Sequence, residues 1–267
     1  MKNKILVSSH TETGRRDRNE DCNFYAFNNS NQMLAIVCDG VGGEEDSHIA
    51  SKALCDTFEQ QFSKHKKIKR FPSFYNKCLK KATKIINLKS KGRTMGTTVC
   101  AVLITDNIAE TANMGDSRIY YHGYKNNKWK IVSFDQNLLN HIRAKFQSQR
   151  EKSPSLISVI NEEEKKEIAL NRKNLLALTT CIETNFKPKV NDSYYKVIND
   201  LQAGDYIHIC SDGVYNWFKE DKMDKLLCGY KKDFSNITKD IVHGAYSGGS
   251  NDNMTSILIK IVDEHKK

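Results

Sequence analysis

Two stretches of the chain place an aspartate and a glycine directly after an apolar run. Met33–Cys38 leads into Asp39-Gly40, and the run from Asp205 to Ser211 leads into Asp212-Gly213. A third aspartate, Asp252, stands just before the apolar run Ile257–Val262. Carboxylates fixed at strand ends are good ligands for hard divalent cations, and such cations, bridged by water, can hydrolyse phosphate esters. Glycine contributes too. Without a side chain, Gly40 lets its backbone carbonyl approach a cation beside the Asp39 carboxylate. A lone Asp-Gly is also an ordinary turn dipeptide, and for Asp39 by itself the two readings balance. Two copies at strand ends, joined by Asp252, favour metal.

Two further segments are rich in groups of this kind. Arg16-Asp17-Arg18-Asn19-Glu20-Asp21 leads into the strand-like Cys22–Phe27. The planar fork of an arginine binds phosphate bidentately, and neighbouring carboxylates can orient water on a metal. Taken alone, this is a solvated charge run. Asn113-Met114-Gly115-Asp116-Ser117-Arg118 offers Asp116 as another carboxylate, although by itself it reads as a polar tight turn. The eight cysteines form no C-x-x-C pair and lie mostly in apolar runs, so reduced structural thiols are expected rather than zinc or disulfides. Cys210 lacks an evident base and reads as strand core.

The elements that must position these groups are legible from periodicity. Thr97–Ile104, Ile108–Asn113, Arg118–His122 and Trp129–Phe134 read as short strands of one β-meander. Ala50, Ala53, Leu54, Thr57, Phe58, Gln61 and Phe62 recur at helical spacing, as do Phe74, Cys78, Leu79, Ala82, Ile85 and Ile86. These predict two adjacent helices joined by a basic linker around residues 66–72. Further helices are expected over 137–149, 161–170, 221–227 and 233–245, with Asn161 as an N-cap before three glutamates. The polar stretch from Ala144 to Ser158 reads as a mobile surface segment. No linker divides the 267 residues, so a single domain over 1–267 is expected.

Composition narrows the function classes. No apolar run approaches the roughly 20 residues of a membrane-spanning helix. The apolar stretch at the N-terminus is too short for a signal peptide, so a cytoplasmic protein is expected. The net charge is +10, with lysines clustered over 64–70 and again from 77 to 91. No aromatic residues interleave with them as a nucleic-acid stacking platform would require, so a solvated face is favoured over a nucleic-acid surface. Attraction of acidic or phosphorylated partners is the third reading.

In order, these residues resemble the metal-dependent protein serine/threonine phosphatases of the protein phosphatase 2C (PPM) family, closer to the bacterial type. The resemblance runs from about Val7 to Val262. Arg-x-x-Asn-Glu-Asp stands at Arg16–Asp21, Asp-Gly-x-Gly-Gly at Asp39–Gly43, Gly-Thr-Thr at Gly96–Thr98 and Asn-x-Gly-Asp-Ser-Arg at Asn113–Arg118. Asp135–Leu138 is similar to an Asp-His-Ser-Leu segment, and Ser-Asp-Gly at Ser211–Gly213 and Asp-Asn-x-Thr at Asp252–Thr255 complete the set. The ordered set is specific where each motif is weak.

The resemblance implies an α+β fold, a four-layer α/β/β/α sandwich of two antiparallel sheets flanked by helix pairs. It implies two Mn(II) or Mg(II) ions bridged by Asp39, with the Gly40 carbonyl, Asp212 and Asp252 completing the site. Glu20 and Asp21 would hold metal-bound waters, Asp116 with Asp212 would form a looser third metal site, and Arg16 would hold the substrate phosphate. The reaction implied is hydrolysis of phosphoserine or phosphothreonine by a metal-bridging water or hydroxide. Phosphorylated proteins are the expected partners, with an opposing serine/threonine kinase. Neither membrane nor nucleic acid is expected, and the chain is expected to be a monomer.

The chain departs from the pattern in places. Val41 stands where some members carry histidine, Glu44 and His48 look exchanged, and Thr179–Glu183 lacks the usual arginine and glycine. A catalytically inactive member acting as a binding partner is the alternative, opposed by the presence of Asp39, Gly40, Asp212 and Asp252. A basic nucleic-acid-binding domain ranks below it.

Overall fold

The computed structural model describes residues 3–41, 46–230 and 232–264. In chain order its elements begin with β1 (Asn3–Glu12), β2 (Cys22–Phe27), β3 (Met33–Cys38) and β4 (Gly40–Val41). Helices α1 (Ser47–Lys64) and α2 (Phe71–Ser90) follow, then β5 (Gly96–Thr97), β6 (Val99–Thr105), β7 (Ile108–Met114), β8 (Arg118–Gly123) and β9 (Lys128–Ile131). Helices α3 (Leu138–Lys152) and α4 (Ile157–Leu170) come next, followed by β10 (Ile182–Glu183), β11 (Tyr194–Ile198) and β12 (Tyr206–Cys210). The chain ends with α5 (Asp212–Tyr215), α6 (Glu220–Leu227), α7 (Ile237–Gly248) and β13 (Met254–Asp263).

The strands form two five-stranded antiparallel sheets, in the orders β1-β13-β12-β8-β9 and β11-β7-β6-β3-β2, and a short three-stranded sheet β10-β5-β4. Strand alternation sets the layers. Met33, Ala35 and Val37 of β3 point between the sheets, where they meet Val102, Ile207 and Ile259. The intervening Leu34, Ile36 and Cys38 point outward onto α1 and α2, among Leu54, Phe58 and Leu79. Covered on both faces, β3 is apolar and buried at every position. On the far side of the sandwich, Cys210 and Leu258 are covered by Val214 of α5, Met223 of α6 and Ile241 and Ala245 of α7. This is the four-layer α+β arrangement expected from the sequence.

The basic linker between α1 and α2 is anchored by its one apolar residue. Ile68 is buried, and its N–H and carbonyl bond to the Gln32 side chain at 2.6 and 2.9 Å.

Two expectations are corrected. The meander is split: β6 pairs with β7 in one sheet and β8 with β9 in the other, with no β7–β8 ladder. The break falls at Gly115 (φ 101°), a left-handed conformation that turns the chain across the interior. The second correction concerns residues 144–158, which are largely helical. Helix α3 runs to Lys152, a 3-10 turn spans Pro154–Leu156, and α4 starts at Ile157. Asn161 therefore lies inside α4, where it accepts from Arg150 at 3.1 Å. A small core of Ile142, Phe146 and Ile160 and an Arg150–Glu164 ion pair hold this hairpin together. Asn137, in contrast, caps α3 by accepting from the Asn140 N–H at 3.0 Å.

Candidate metal centre

The two strand-end aspartates lie at one end of the sandwich, where β3 and β12 finish side by side in the layered interior. Backbone hydrogen bonds fix Asp39. Its carbonyl accepts from the Thr98 N–H at 2.8 Å and from the Thr97 hydroxyl at 3.0 Å, while its own N–H donates to Thr98 Oγ1 at 3.2 Å. The Thr98 hydroxyl also meets Ser117 Oγ at 2.7 Å, which ties Asp39 to the turn that carries Asp116. A Cβ on Gly115 would come within 2.7 Å of the Thr98 side chain. This explains the glycine before Asp116 and gives the Gly-Thr-Thr segment a physical role that spacing alone did not reveal.

The loop carrying Arg16, Glu20 and Asp21 is clamped from the other end of the chain. Asn253 accepts from the Glu20 N–H at 2.8 Å and donates to the carbonyls of Thr13 at 2.8 Å and Arg18 at 2.9 Å. The Glu20 carbonyl accepts from Gly40 N–H at 3.2 Å and from Ser51 Oγ at 2.5 Å. A Cβ on Gly40 would lie 2.7 Å from that carbonyl oxygen. Glycine is therefore required here by close approach of two backbones. Ser211 donates to Asp21 Oδ2 at 2.8 Å and accepts from the Thr255 N–H at 3.0 Å. With both functions of its hydroxyl used, Ser211 is not an idle nucleophile, and Cys210 is buried strand core.

The expected carboxylates are brought together. Burial raises the Asp39 carboxyl well above its ordinary range, and Asp21, Asp212, Asp116 and Asp252 push it further. Burial likewise carries Asp21 up to about 7, opposed by hydrogen bonds from Thr255 and Ser211 and reinforced by Asp212 and Asp252. Asp116 rises to about 7 through burial, then Asp212 and Asp135. Asp212 is raised by burial and by Asp252. Glu20 is raised first by burial, with Arg16 and Arg18 opposing. Carboxylates crowded and desolvated in this way lack a counter-charge, which a cation supplies.

Two observations test the fit to divalent cations. Asp21 Oδ1 is buried and has no hydrogen-bond partner, a free hard-oxygen donor in the centre of the acidic set. Among the described residues, no three His, Cys, Asp or Glu side chains close on one point as ligands. The fit therefore rests on donor chemistry: ions of the magnesium type take hard carboxylate oxygens and keep several waters. The donor set fits.

Arg16 sits at the rim, half exposed. Its Nη2 donates to Asp252 Oδ2 at 2.9 Å and its Nε to the Asn251 carbonyl at 3.1 Å. Arg118 grips Asp135 at 2.7–3.1 Å and lies 3.9 Å over the Tyr215 ring, so Asp135 is neutralised beside Asp116. His48 near the start of α1 is bonded to Arg18 at 3.2 Å. Val41 and Gly40 pair with Gly96 and Thr97, and the divergent 179–183 stretch supplies β10 on the other side of β5. Gly42, Gly43 and Glu44 lie outside the described residues.

Residues 8–243 match the family model described as Protein phosphatase 2C. The serine/threonine phosphatase stp of Listeria monocytogenes serotype 4b is 27% identical over 260 residues, covering 94% of this chain and 93% of that protein. The structure of the S. agalactiae serine/threonine phosphatase superposes with a TM-score of 0.77 at 23% identity, covering 97% of this chain and all of that one. The catalytic domain of the phosphatase PstP, in complex with two manganese ions, superposes with a TM-score of 0.72 at 18% identity, covering 98% and 100%.

Proposed function

The chain belongs to the protein phosphatase 2C family and is a protein serine/threonine phosphatase, and we propose that Asp39, the Gly40 carbonyl, Asp212 and Asp252 hold the two Mn(II) or Mg(II) ions with which it works. The observation that carries this reading is the mutually repelling set of half-buried Asp39 and Asp212 with buried Asp21, whose Oδ1 has no hydrogen-bond partner. Asp116, which Asp212 repels, is the candidate for a weaker third site.

Divalent ions bound there would supply an activated water nucleophile and neutralise charge on the phosphoryl oxygens. The chain's own residues do the rest. Arg16 presents its guanidinium fork at the rim and binds the incoming phosphate. Asp21, held at Oδ2 by Ser211 and open at Oδ1, orients water and accepts its hydrogen bond. Glu20, its backbone fixed by Asn253 and Gly40, does the same from the loop side. Cys210 and Ser211 need form no covalent intermediate. The substrates are phosphoserine and phosphothreonine proteins, opposed by a cognate kinase. The motif order from about Val7 to Val262 supports one catalytic domain, and a monomer is the working state proposed for it. No helix among the described residues is long and apolar enough to cross a membrane, and a cytoplasmic location is the simplest setting.

The test uses the purified chain and a phosphothreonine peptide. Turnover is expected only with added Mn(II) or Mg(II). Asp39→Asn and Asp212→Asn should each lower kcat/KM by about a hundredfold or more while the protein stays folded. Equal turnover in EDTA would refute the metal assignment.

A further inference from the structure

Charge is distributed very unevenly along this chain. Residues 60–105 contain no aspartate or glutamate and carry 12 of the 42 lysines and arginines. The remaining 30 face 32 acidic residues, a balance of −2, so this one segment accounts for more than the whole net charge of +10. Among the described residues, only Arg93 of those 12 pairs with a carboxylate, that of Asp46. The other cations sit on the outer layer with no intramolecular counter-charge.

Helix α2 organises them. Lys77, Lys80, Lys81 and Lys84 follow the i, i+3, i+4, i+7 spacing that puts them on one face. With Ser73 and Asn76 they line a groove along the helix. Lys77, Lys80 and Lys84 are exposed, and Lys81 is half-buried. The stripe continues towards Lys89 and Lys91 at the C-terminal end of α2. That end lies beside the start of α1, since Arg93 bonds Asp46, and the chain then enters β5, which pairs with Gly40 and Val41. The basic track thus leads back to the end of the molecule that holds the carboxylate cluster.

We propose that this face of α2 is a docking track for acidic polypeptide segments, and that the enzyme prefers phosphoproteins with an acidic tract flanking the phosphorylated residue. The second half of this statement rests on the phosphatase reading above; the first half does not. An acidic peptide is the complementary occupant for three reasons. The lysines of this helix face present positive charge that glutamates and aspartates complement. Leu88 is the only exposed large hydrophobic side chain between Lys64 and Arg93, too little apolar surface for insertion into a lipid interface. The aromatics of the segment, Phe62, Phe71, Phe74 and Tyr75, are buried in the core beneath the helices, so none is available to stack on bases. From Lys77 to Ser90 the helix rises about 20 Å, which an extended peptide spans in roughly six residues.

The experiment compares the wild-type chain with Lys77→Glu/Lys80→Glu/Lys84→Glu, and with the milder Lys77→Gln/Lys80→Gln/Lys84→Gln. Binding of a labelled, unphosphorylated peptide bearing six glutamates is read by fluorescence anisotropy at low salt, which needs no catalysis. Affinity should fall about tenfold in the Glu variant and less in the Gln variant, and should weaken in 0.5 M salt for the wild type. Phosphothreonine peptides with acidic and neutral flanks should differ about tenfold in KM for the wild type and be equal for the Glu variant, with p-nitrophenyl phosphate turnover unchanged. Peptide binding without any hydrolysis would leave docking standing and sink the phosphatase reading. Equal peptide affinity in all three proteins would overturn the docking proposal. So would tighter, lysine-dependent binding of a duplex DNA or of phosphatidylserine vesicles than of the acidic peptide.

Discussion

At the scale of single residues, the centre is arranged by groups that carry no charge. Asn253 makes three hydrogen bonds to the loop holding Arg16, Glu20 and Asp21. Replacing it with alanine should cost about 2–3 kcal/mol in urea unfolding and about 10–100-fold in kcat/KM, because the loop is left untethered. Full activity in Asn253→Ala would show that the loop is positioned by something else. Asp39→Asn offers a sharper contrast. It removes a desolvated charge that four neighbouring carboxylates repel, so in EDTA its thermal midpoint should equal or exceed that of the wild type, and Mn(II) should raise it less. A lower midpoint in EDTA would mean that the carboxylates are not crowded as described. The acidic residues were legible in the sequence because Asp-Gly after an apolar run repeats. The clamps were not: an asparagine or threonine shows no periodicity, and its partner lies far along the chain, 59 residues for Thr98 and Asp39 and 233 for Asn253 and Glu20.

At the scale of elements, the sandwich was readable where burial imposes a period, and unreadable where a turn decides the outcome. Strands β3 and β6 and helices α1 and α2 carry long apolar patterns set by two covered faces. The split of the expected meander depends on one backbone angle at Gly115, which no hydrophobic pattern encodes. Gly115→Ala should be destabilising by more than about 1 kcal/mol and should sharply reduce activity through Thr98 and Asp39. Helices over 137–149 and 161–170 were legible, but the close join of α3 to α4 was not, because its apolar contacts, Ile142, Phe146 and Ile160, are sparse among charged residues. Such a small core predicts semi-independent behaviour. Phe146→Ala should lose about 3 kcal/mol of local stability, seen as faster amide exchange across residues 138–170 with little change in β3, β6 or β13. Uniformly faster exchange in the sheets would show instead that the hairpin is integral to the core.

At the scale of the whole molecule, the acid limb of stability has an identifiable contributor. His208 lies buried in β12, bonded to Ser256 at 2.9 Å and stacked 5.9 Å from Tyr120. Burial pushes its pKa down to about 3. The unfolded chain protonates this histidine near pH 6.5 and the folded one does not, so the unfolded state binds more protons between those values. Stability should therefore fall as pH drops from about 6.5 towards 3, by up to about 1.4 kcal/mol per pH unit from this residue. His208→Gln should flatten that slope in urea titrations at pH 4–6.5, and an unchanged slope would assign the acid sensitivity to other groups.

The pairing of β1 with β13 joins the first described strand to the last, Asn3 opposite Asp263 through Glu12 opposite Met254. Both strands of that seam bracket the carboxylates in sequence, those at 21 and 39 following β1 and those at 212 and 252 preceding β13. During synthesis the early half must wait on the ribosome, with its acidic pocket incomplete, until β13 emerges and zips onto β1. A polypeptide that terminates before residue 254 would have no phosphatase activity to release, however well its first sheet had formed.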